Sequence, residues 1–306
     1  MSEINIELPR VSHSQMAVFN QCNYKWQLMY KDRWKSIELA QAPHQGILGH
    51  ELLEIYYNHL NTLGSKKAYE LVKLHAQVQF TELMTKDEKF IQRGATALRV
   101  VDKYVKEFSP YEDKNWNVLK TEYKFEVPII TPTGKEVVIE GYIDALVSIK
   151  NKLWIVDHKF VMSNFWDEVA VNIDSQFTTY AACMNLLGYP VQGIIVNQLN
   201  MYQYKNYDKE PPEKFFRRVK TNRSMIEQQN TLREIAYLVD DMFDRQERDL
   251  PMRKSLTKDC KNCSFVDVCL FHLKGIDPEP FLLQTHAKRG PSQYSASNSI
   301  FEIEIP

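Results

Sequence analysis

Long apolar runs are missing from this 306-residue sequence. None approaches the roughly 18 apolar residues that a membrane-spanning helix needs, so no membrane segment is expected. The opening stretch MSEINIELPR also lacks the apolar core of a secretory signal, which predicts a cytoplasmic location. An excess of either charge is missing as well: 38 Lys and Arg face 39 Asp and Glu, a formal net charge of -1. No global basic field attracts a polyanion, so any such binding has to come from local patches. Cysteine is scarce and odd in number, with five in the chain. In a reducing compartment that count points to metal ligation or buried thiols rather than disulfides. No internal repeat is present. What remains is ordinary globular composition, 44% hydrophobic and 25% charged, with enough apolar content for a real core.

The periodicity changes along the chain. SHSQMAVFNQCNYKWQLMY spaces Met16, Phe19, Tyr24 and Leu28 as a helix does, with Ser12 or Ser14 suited to cap it. GHELLEIYYNHL continues as an amphipathic helix, and a long helical reading runs from Lys66 to Phe108. TEYKFEVPII then alternates, with Tyr123, Phe125 and Val127 on one face and Glu122, Lys124 and Glu126 on the other. KEVVIEGYIDALVSI alternates again, and LWIVDHKF is the nearly continuous apolar run of a central strand. TPTGKE and KNK supply the turns. DSQFTTYAACMNLLG reads as a helix from an Asp174 cap to a Gly188 stop, and VQGIIVNQL returns to strand. The predicted class is α/β, in the order helices, three strands, helix, strand. The expected divisions are a helical region over 1–110 carrying Cys22 and His50, a core over 111–220, a helix and cysteine triplet over 221–275, and a polar tail over 276–306, all integrated in one domain.

Several polar residues stand where apolar ones are expected. Asp144 interrupts a strand in EGYIDALV, and Asp157 and Lys159 project from one face at the end of the next. In a hairpin, Asp144 can lie opposite them. Converging carboxylates repel unless a cation sits between, and hard oxygens suit Mg2+ or Mn2+. A neighbouring lysine can orient a water or neutralise an oxyanion. A D-x-K tripeptide alone fits an ordinary strand-end ion pair better. Gln176 and Tyr180 share one helix face, as do His50 and Glu54.

Taken in order, GHELLE, GYID, VDHK and QFTTY resemble the PD-(D/E)XK nuclease superfamily, specifically its RecB-like branch. The resemblance covers roughly residues 12 to 270 and rests on His50, Gly141 with Asp144, Asp157 with Lys159, and Gln176 with Tyr180. It implies a restriction-endonuclease-like core with a mixed central sheet, a helical N-terminal region and a C-terminal iron–sulfur segment. It implies that His50, Asp144, Asp157 and the main-chain carbonyl of His158 hold Mn2+ or Mg2+, and that Lys159 positions water or stabilises charge. Gln176 and Tyr180 would then hold the nucleic-acid backbone. Glu122 stands where some relatives have an acidic residue, although a surface role fits it as well, and Glu54 is similarly open. The implied activity is a metal-dependent DNA exonuclease acting on single-stranded DNA or duplex ends in recombination, repair or spacer processing. No G-x-x-x-x-G-K-[ST] phosphate loop is present, so unwinding falls to a helicase partner, with a recombinase or CRISPR protein as other candidates.

CKNCSFVDVC uses Cys260, Cys263 and Cys269, and a fourth ligand has to come from elsewhere. Cys183 reads as a small core residue on the helix of Gln176. Cys22 remains. The spacing alone fits zinc and iron–sulfur equally. Iron–sulfur members of the RecB-like branch take one ligand before the core and three after it, so the resemblance implies a 4Fe-4S cluster on Cys22, Cys260, Cys263 and Cys269. Two stretches mix cations with aromatics: KFFRRVKTNR, with Lys214, Arg217, Arg218, Lys220 and Arg223 around Phe215 and Phe216, and NYKWQLMYKDRWK. Each reads either as a single-strand binding surface or as core aromatics with solvated cations. Two other functions stay open: an iron–sulfur DNA glycosylase and a non-catalytic DNA-binding subunit.

Overall fold

Alternating side chains over residues 117–161 form the three expected strands. The computed structural model of the chain describes residues 8–37, 41–83, 88–248 and 250–288. In chain order the N-terminal elements are β1 (Arg10–Ser12), α1 (His13–Gln21), α2 (Asn23–Trp26), β2 (Trp34–Ser36), α3 (Gln41–Leu83), α4 (Glu88–Lys103) and α5 (Ser109–Glu112). The middle holds β3 (Asn117–Ile130), β4 (Glu136–Ile149), β5 (Lys152–Val161), α6 (Glu168–Ile173), α7 (Ser175–Leu186), β6 (Val191–Asn200) and β7 (Phe216–Thr221). Last come α8 (Met225–Glu247), α9 (Val266–Leu273), α10 (Glu279–Thr285) and β8 (His286–Lys288). The class is mixed α/β, as the alternating patterns predict.

The chain forms two compact units, one built on residues 40–125 and 142–231, the other on 1–39, 126–141 and 232–296. The first carries the candidate site. Its strands β4 and β5 are antiparallel, with Ile149 opposite Lys152. The two residues between, Lys150 and Asn151, both take positive φ, 50° and 61°, the geometry of the tight turn whose twist matches paired strands. Strand β5 runs parallel to β6, and β6 is antiparallel to β7. Between β5 and β6 lies α7, whose Asp174 cap accepts the Gln176 N–H at 2.8 Å, as expected. Helix α3 is interrupted at Gly64, which takes φ 75°. Behind the sheet, α3 and α4 contribute Leu52, Leu53, Tyr56, Val100 and Tyr104 to one core.

Strand β7 lies in the stretch KFFRRVKTNR, which alternation did not mark as strand. Phe215 and Phe216 are core, and the Arg218 side chain, 9% exposed, is paired with Asp113 at 2.6 Å. Its guanidinium also donates to Asn197 Oδ1 at 2.9 Å and packs over Trp116 at 4.3 Å from the ring centre. Arg223 is buried and donates to Thr178 Oγ1 and the Val171 carbonyl, both at 2.8 Å. Of the two readings open for this stretch, core aromatics is the one seen at Phe215 and Phe216, while Lys214, Arg217 and Lys220 stay exposed. A planar five-donor cation can be satisfied inside the protein, and two of the five cations are.

The second unit gathers the two ends of the described chain. Strand β1 runs parallel to the first half of β4, with Val11 opposite Ile139, and β2 pairs antiparallel with β8. Ser12 caps α1, accepting the Gln15 N–H at 3.2 Å. The single helix expected here is broken at Cys22, which is extended at φ -163° and ψ 112°. Of the aromatics of NYKWQLMYKDRWK, Tyr24, Trp26 and Trp34 are core and Tyr30 is partly covered. Residues 276–288, expected as loose tail, carry α10 and β8.

Removing Asp113 strands a largely enclosed guanidinium. Asp113→Ala is expected to lower stability by about 3–5 kcal/mol, read from urea unfolding, and Arg218→Met in the same background should recover part of that loss.

Candidate active site

The hairpin register brings the carboxylates together. The β4–β5 ladder ends at Ala145 opposite Val156, so the next residues on the two strands are Asp144 and Asp157. Here the ladder opens, and the Asp144 carboxylate accepts the His158 backbone N–H. Helix α3 then delivers His50, whose Nδ1 lies 3.4 Å from Asp144 Oδ2. It comes this close because Gly49 has no side chain: a Cβ there would collide with the Phe160 ring on β5. One ligand atom each from His50, Glu122 and Asp144 lie within 4.8 Å of one another. Glu122 sits on β3 with φ 41°, a left-handed position that costs a residue with a side chain about 1–3 kcal/mol. Such strain in mid-strand marks a residue that the fold holds in place for its side chain.

Asp157 is buried, and its Oδ2 lies 2.9 Å from the Lys159 ammonium. That oxygen has no hydrogen bond of good geometry. Lys159 Nζ donates to Gln176 Oε1 at 3.0 Å, and Gln176 Nε2 donates to the Tyr180 hydroxyl at 2.9 Å. The Tyr180 ring meets Phe125 edge-on at 5.3 Å. The i, i+4 spacing on α7 thus links Asp157, Lys159, Gln176 and Tyr180 in one chain of polar contacts.

His158 divides its roles. Its backbone faces Asp144, but its ring stacks on Tyr57 at 5.4 Å and its Nδ1 meets Asn197 Nδ2 at 2.9 Å. The amide can only donate there, so Nδ1 accepts and Nε2 carries the ring proton. Burial pushes this imidazole down to about 3, holding it neutral. Sequence patterning did not identify the Tyr57 and Asn197 partners, because long-range contacts leave no local period.

The charges respond to crowding. Burial, then Asp144 and other acidic neighbours, raises the Glu122 carboxyl to about 8. Burial also lifts Asp157 to about 6 against the pull of Lys159. Burial would lower His50, but Asp144, Glu122 and Asp157 outweigh it and carry it to about 9. Asp144 is held below the usual range despite burial, chiefly by His50. Glu54 is raised by burial alone, and its charge reaches Glu122. A partly buried set of His and carboxylate donors beside the Asp157 carboxylate fits a hard divalent cation.

The four terminal-unit cysteines line one cavity of about 240 Å³, together with Tyr24 and Lys254. Burial raises the Cys269 thiol, Lys254 opposes this, and the charges of Cys22, Cys260 and Cys263 all reach it. Among the described residues no three of these sulfurs come within 4.8 Å of one another. Four thiolates on one zinc ion, at about 2.3 Å each, would be closer. Cys183 is fully buried in α7, with its thiol pushed up to about 12 by burial, as a core residue.

A family model described as the PD-(D/E)XK nuclease superfamily matches residues 10–270. A solved structure from Eubacterium rectale, described as a "Putative exonuclease", is similar at 13% identity, covering 82% of this chain and 86% of its own, with a TM-score of 0.50. Another, SSO0001, aligns over 86% of both chains at 14% identity with a TM-score of 0.40. No curated protein matches the chain. No helix among the described residues is long and apolar enough to cross a membrane.

The sign of the pH response follows from the raised groups. Folding tightens proton binding at Glu122, from 4.5 to about 8, so its contribution is full below 4.5 and lost as pH rises through 8. Metal-free protein should therefore melt at a higher temperature at pH 5 than at pH 8, and Glu122→Gln should flatten that slope. Mn2+ affinity by calorimetry should climb over the same interval, because the cation displaces these protons.

Proposed function

The chain belongs to the PD-(D/E)XK nuclease superfamily, and from that membership we propose that it is a metal-dependent exonuclease acting on single-stranded DNA or DNA ends. The observation that carries this reading is the meeting of His50, Glu122, Asp144, Asp157 and Lys159 from four elements of one unit. Its place is in the RecB-like branch, in recombination, repair or spacer processing. Duplex unwinding is left to a helicase, with recombinase or CRISPR proteins as other partners.

His50, Asp144 and Asp157, with the His158 carbonyl and joined by Glu122, would hold Mn2+ or Mg2+. Bound there, the cation supplies Lewis-acid polarisation and lowers the pKa of a bound water. Lys159 orients the attacking water or meets charge on the phosphate. Gln176 and Tyr180 fix the Lys159 ammonium through their contacts and approach the nucleic-acid backbone. The histidine donor favours Mn2+ over Mg2+.

Cys22, Cys260, Cys263 and Cys269 would hold a 4Fe-4S cluster. All four cysteines line one cavity, which supports a shared centre there, and the choice of iron–sulfur rests on the resemblance to the iron–sulfur members of the RecB-like branch. The cluster joins the two ends of the described chain, so its role is that of a staple.

Two experiments test these assignments. Labelled single- and double-stranded DNA is incubated with Mn2+, Mg2+ or EDTA. Nucleotide release should require metal, run faster in Mn2+, and fall about 10²- to 10⁴-fold in Asp157→Ala and Lys159→Ala. Base excision in EDTA would point to a glycosylase, and binding without cleavage to a silent subunit. In the second, anaerobically purified protein should be coloured and contain iron. Cys22→Ala should lose the visible absorption and melt well below wild type, whereas Cys183→Ala should keep its iron.

A further inference from the structure

Just past the lysine strand, β5 leads into residues 162–167, a connection without regular structure before α6. Two buried amides on β6 pin it. Gln198 Oε1 accepts the Trp166 backbone N–H at 2.6 Å, and Gln198 Nε2 donates to the Trp166 carbonyl at 3.0 Å. Asn200 Nδ2 donates to the Ser163 carbonyl at 3.1 Å. Gln198 and Asn200 are 0% and 1% exposed, so the anchoring is internal. It leaves the outer side chains uncovered: Met162 is 50% exposed, Val169 66% and Ile173 77%. The Trp166 ring is itself only partly covered, and its centre lies 5.8 Å from Lys159 Nζ.

A fully buried glutamine that closes two hydrogen bonds on one loop residue fixes that residue's position. Trp26 and Trp34 are core, whereas Trp116, Trp154 and Trp166 are partly covered. What sets Trp166 apart is its place, a pinned and partly open aromatic surface beside the Lys159 ammonium. Held this way, it meets a nucleobase without losing loop entropy on binding. Any base can supply the π-face, so the contact requires an unpaired base and not a particular one. In the basic stretches Tyr24, Trp26, Trp34, Phe215 and Phe216 are core, and Tyr30 is partly covered.

We propose that Trp166 is a stacking platform for the unpaired base next to the scissile phosphate, making single-stranded nucleic acid the substrate class of this site. The assignment rests on the nuclease reading above.

The test uses short labelled single strands in which one abasic residue is walked along the sequence. Binding is measured by fluorescence anisotropy with Ca2+ in Lys159→Ala protein, and cleavage with Mn2+ in protein with Lys159 intact. At one position, loss of the base should weaken binding by about 5- to 150-fold when Trp166 is present. Trp166→Ala should bind intact and abasic strands alike, and Trp166→Phe should restore most of the discrimination. Equal abasic penalties with Trp166 and with Ala would overturn the platform, as would a uniform loss of cleavage with discrimination intact, the mark of a residue that only steadies Lys159. Wild-type protein that neither binds nor cuts any strand would overturn the nuclease reading, and the platform with it. Circular dichroism melting of each variant separates these outcomes from unfolding.

Discussion

Two carboxylates that leave water together must find positive charge nearby, and the architecture around Asp144 and Asp157 answers that need. At about 4 Å, unit charges near a protein surface interact by roughly 4 kcal/mol, enough to decide which groups stay ionised. Asp144 takes the His158 N–H and the His50 ring, and Asp157 takes Lys159. Each partner has a structural cost. The ladder opens early, α3 must approach through a bare glycine, and Glu122 accepts a left-handed backbone. These departures from regular geometry collect at one place, as expected where function competes with regularity.

The strands were legible because period two leaves a local trace. That trace placed Asp144, Asp157 and Lys159 on neighbouring strands, and the helical spacing joined Gln176 to Tyr180. What left no trace was anything decided by distant packing. The close approach at Gly49 depends on Phe160, far along the chain. Glu122 looked like an outward residue of an alternating strand until its φ of 41° was known. The break at Cys22 was hidden in a continuous helical pattern, because apolar spacing survives a single extended residue.

Charge was the least readable property. A run of lysines and arginines is usually solvated, yet Arg223 is buried and the Arg218 side chain is largely enclosed against Asp113. Composition cannot separate a surface cation from one that meets a buried carboxylate, because the partner Asp113 is remote in sequence. The arginines nevertheless act on the site indirectly. Arg218 holds Asn197, which holds the His158 ring, and the next backbone group is the one bonded to Asp144.

The meeting of the two ends of the described chain in one unit has a consequence for biosynthesis. Cys22 emerges from the ribosome early, while Cys260, Cys263 and Cys269 follow only after strands β3 to β7. At about 5–20 residues per second, that leaves one thiol without its three companions for tens of seconds. During that interval it is open to oxidants and to whatever soft metal ions are free. For the proposed four-cysteine centre, the order of synthesis would make the supply of reductant a condition of assembly.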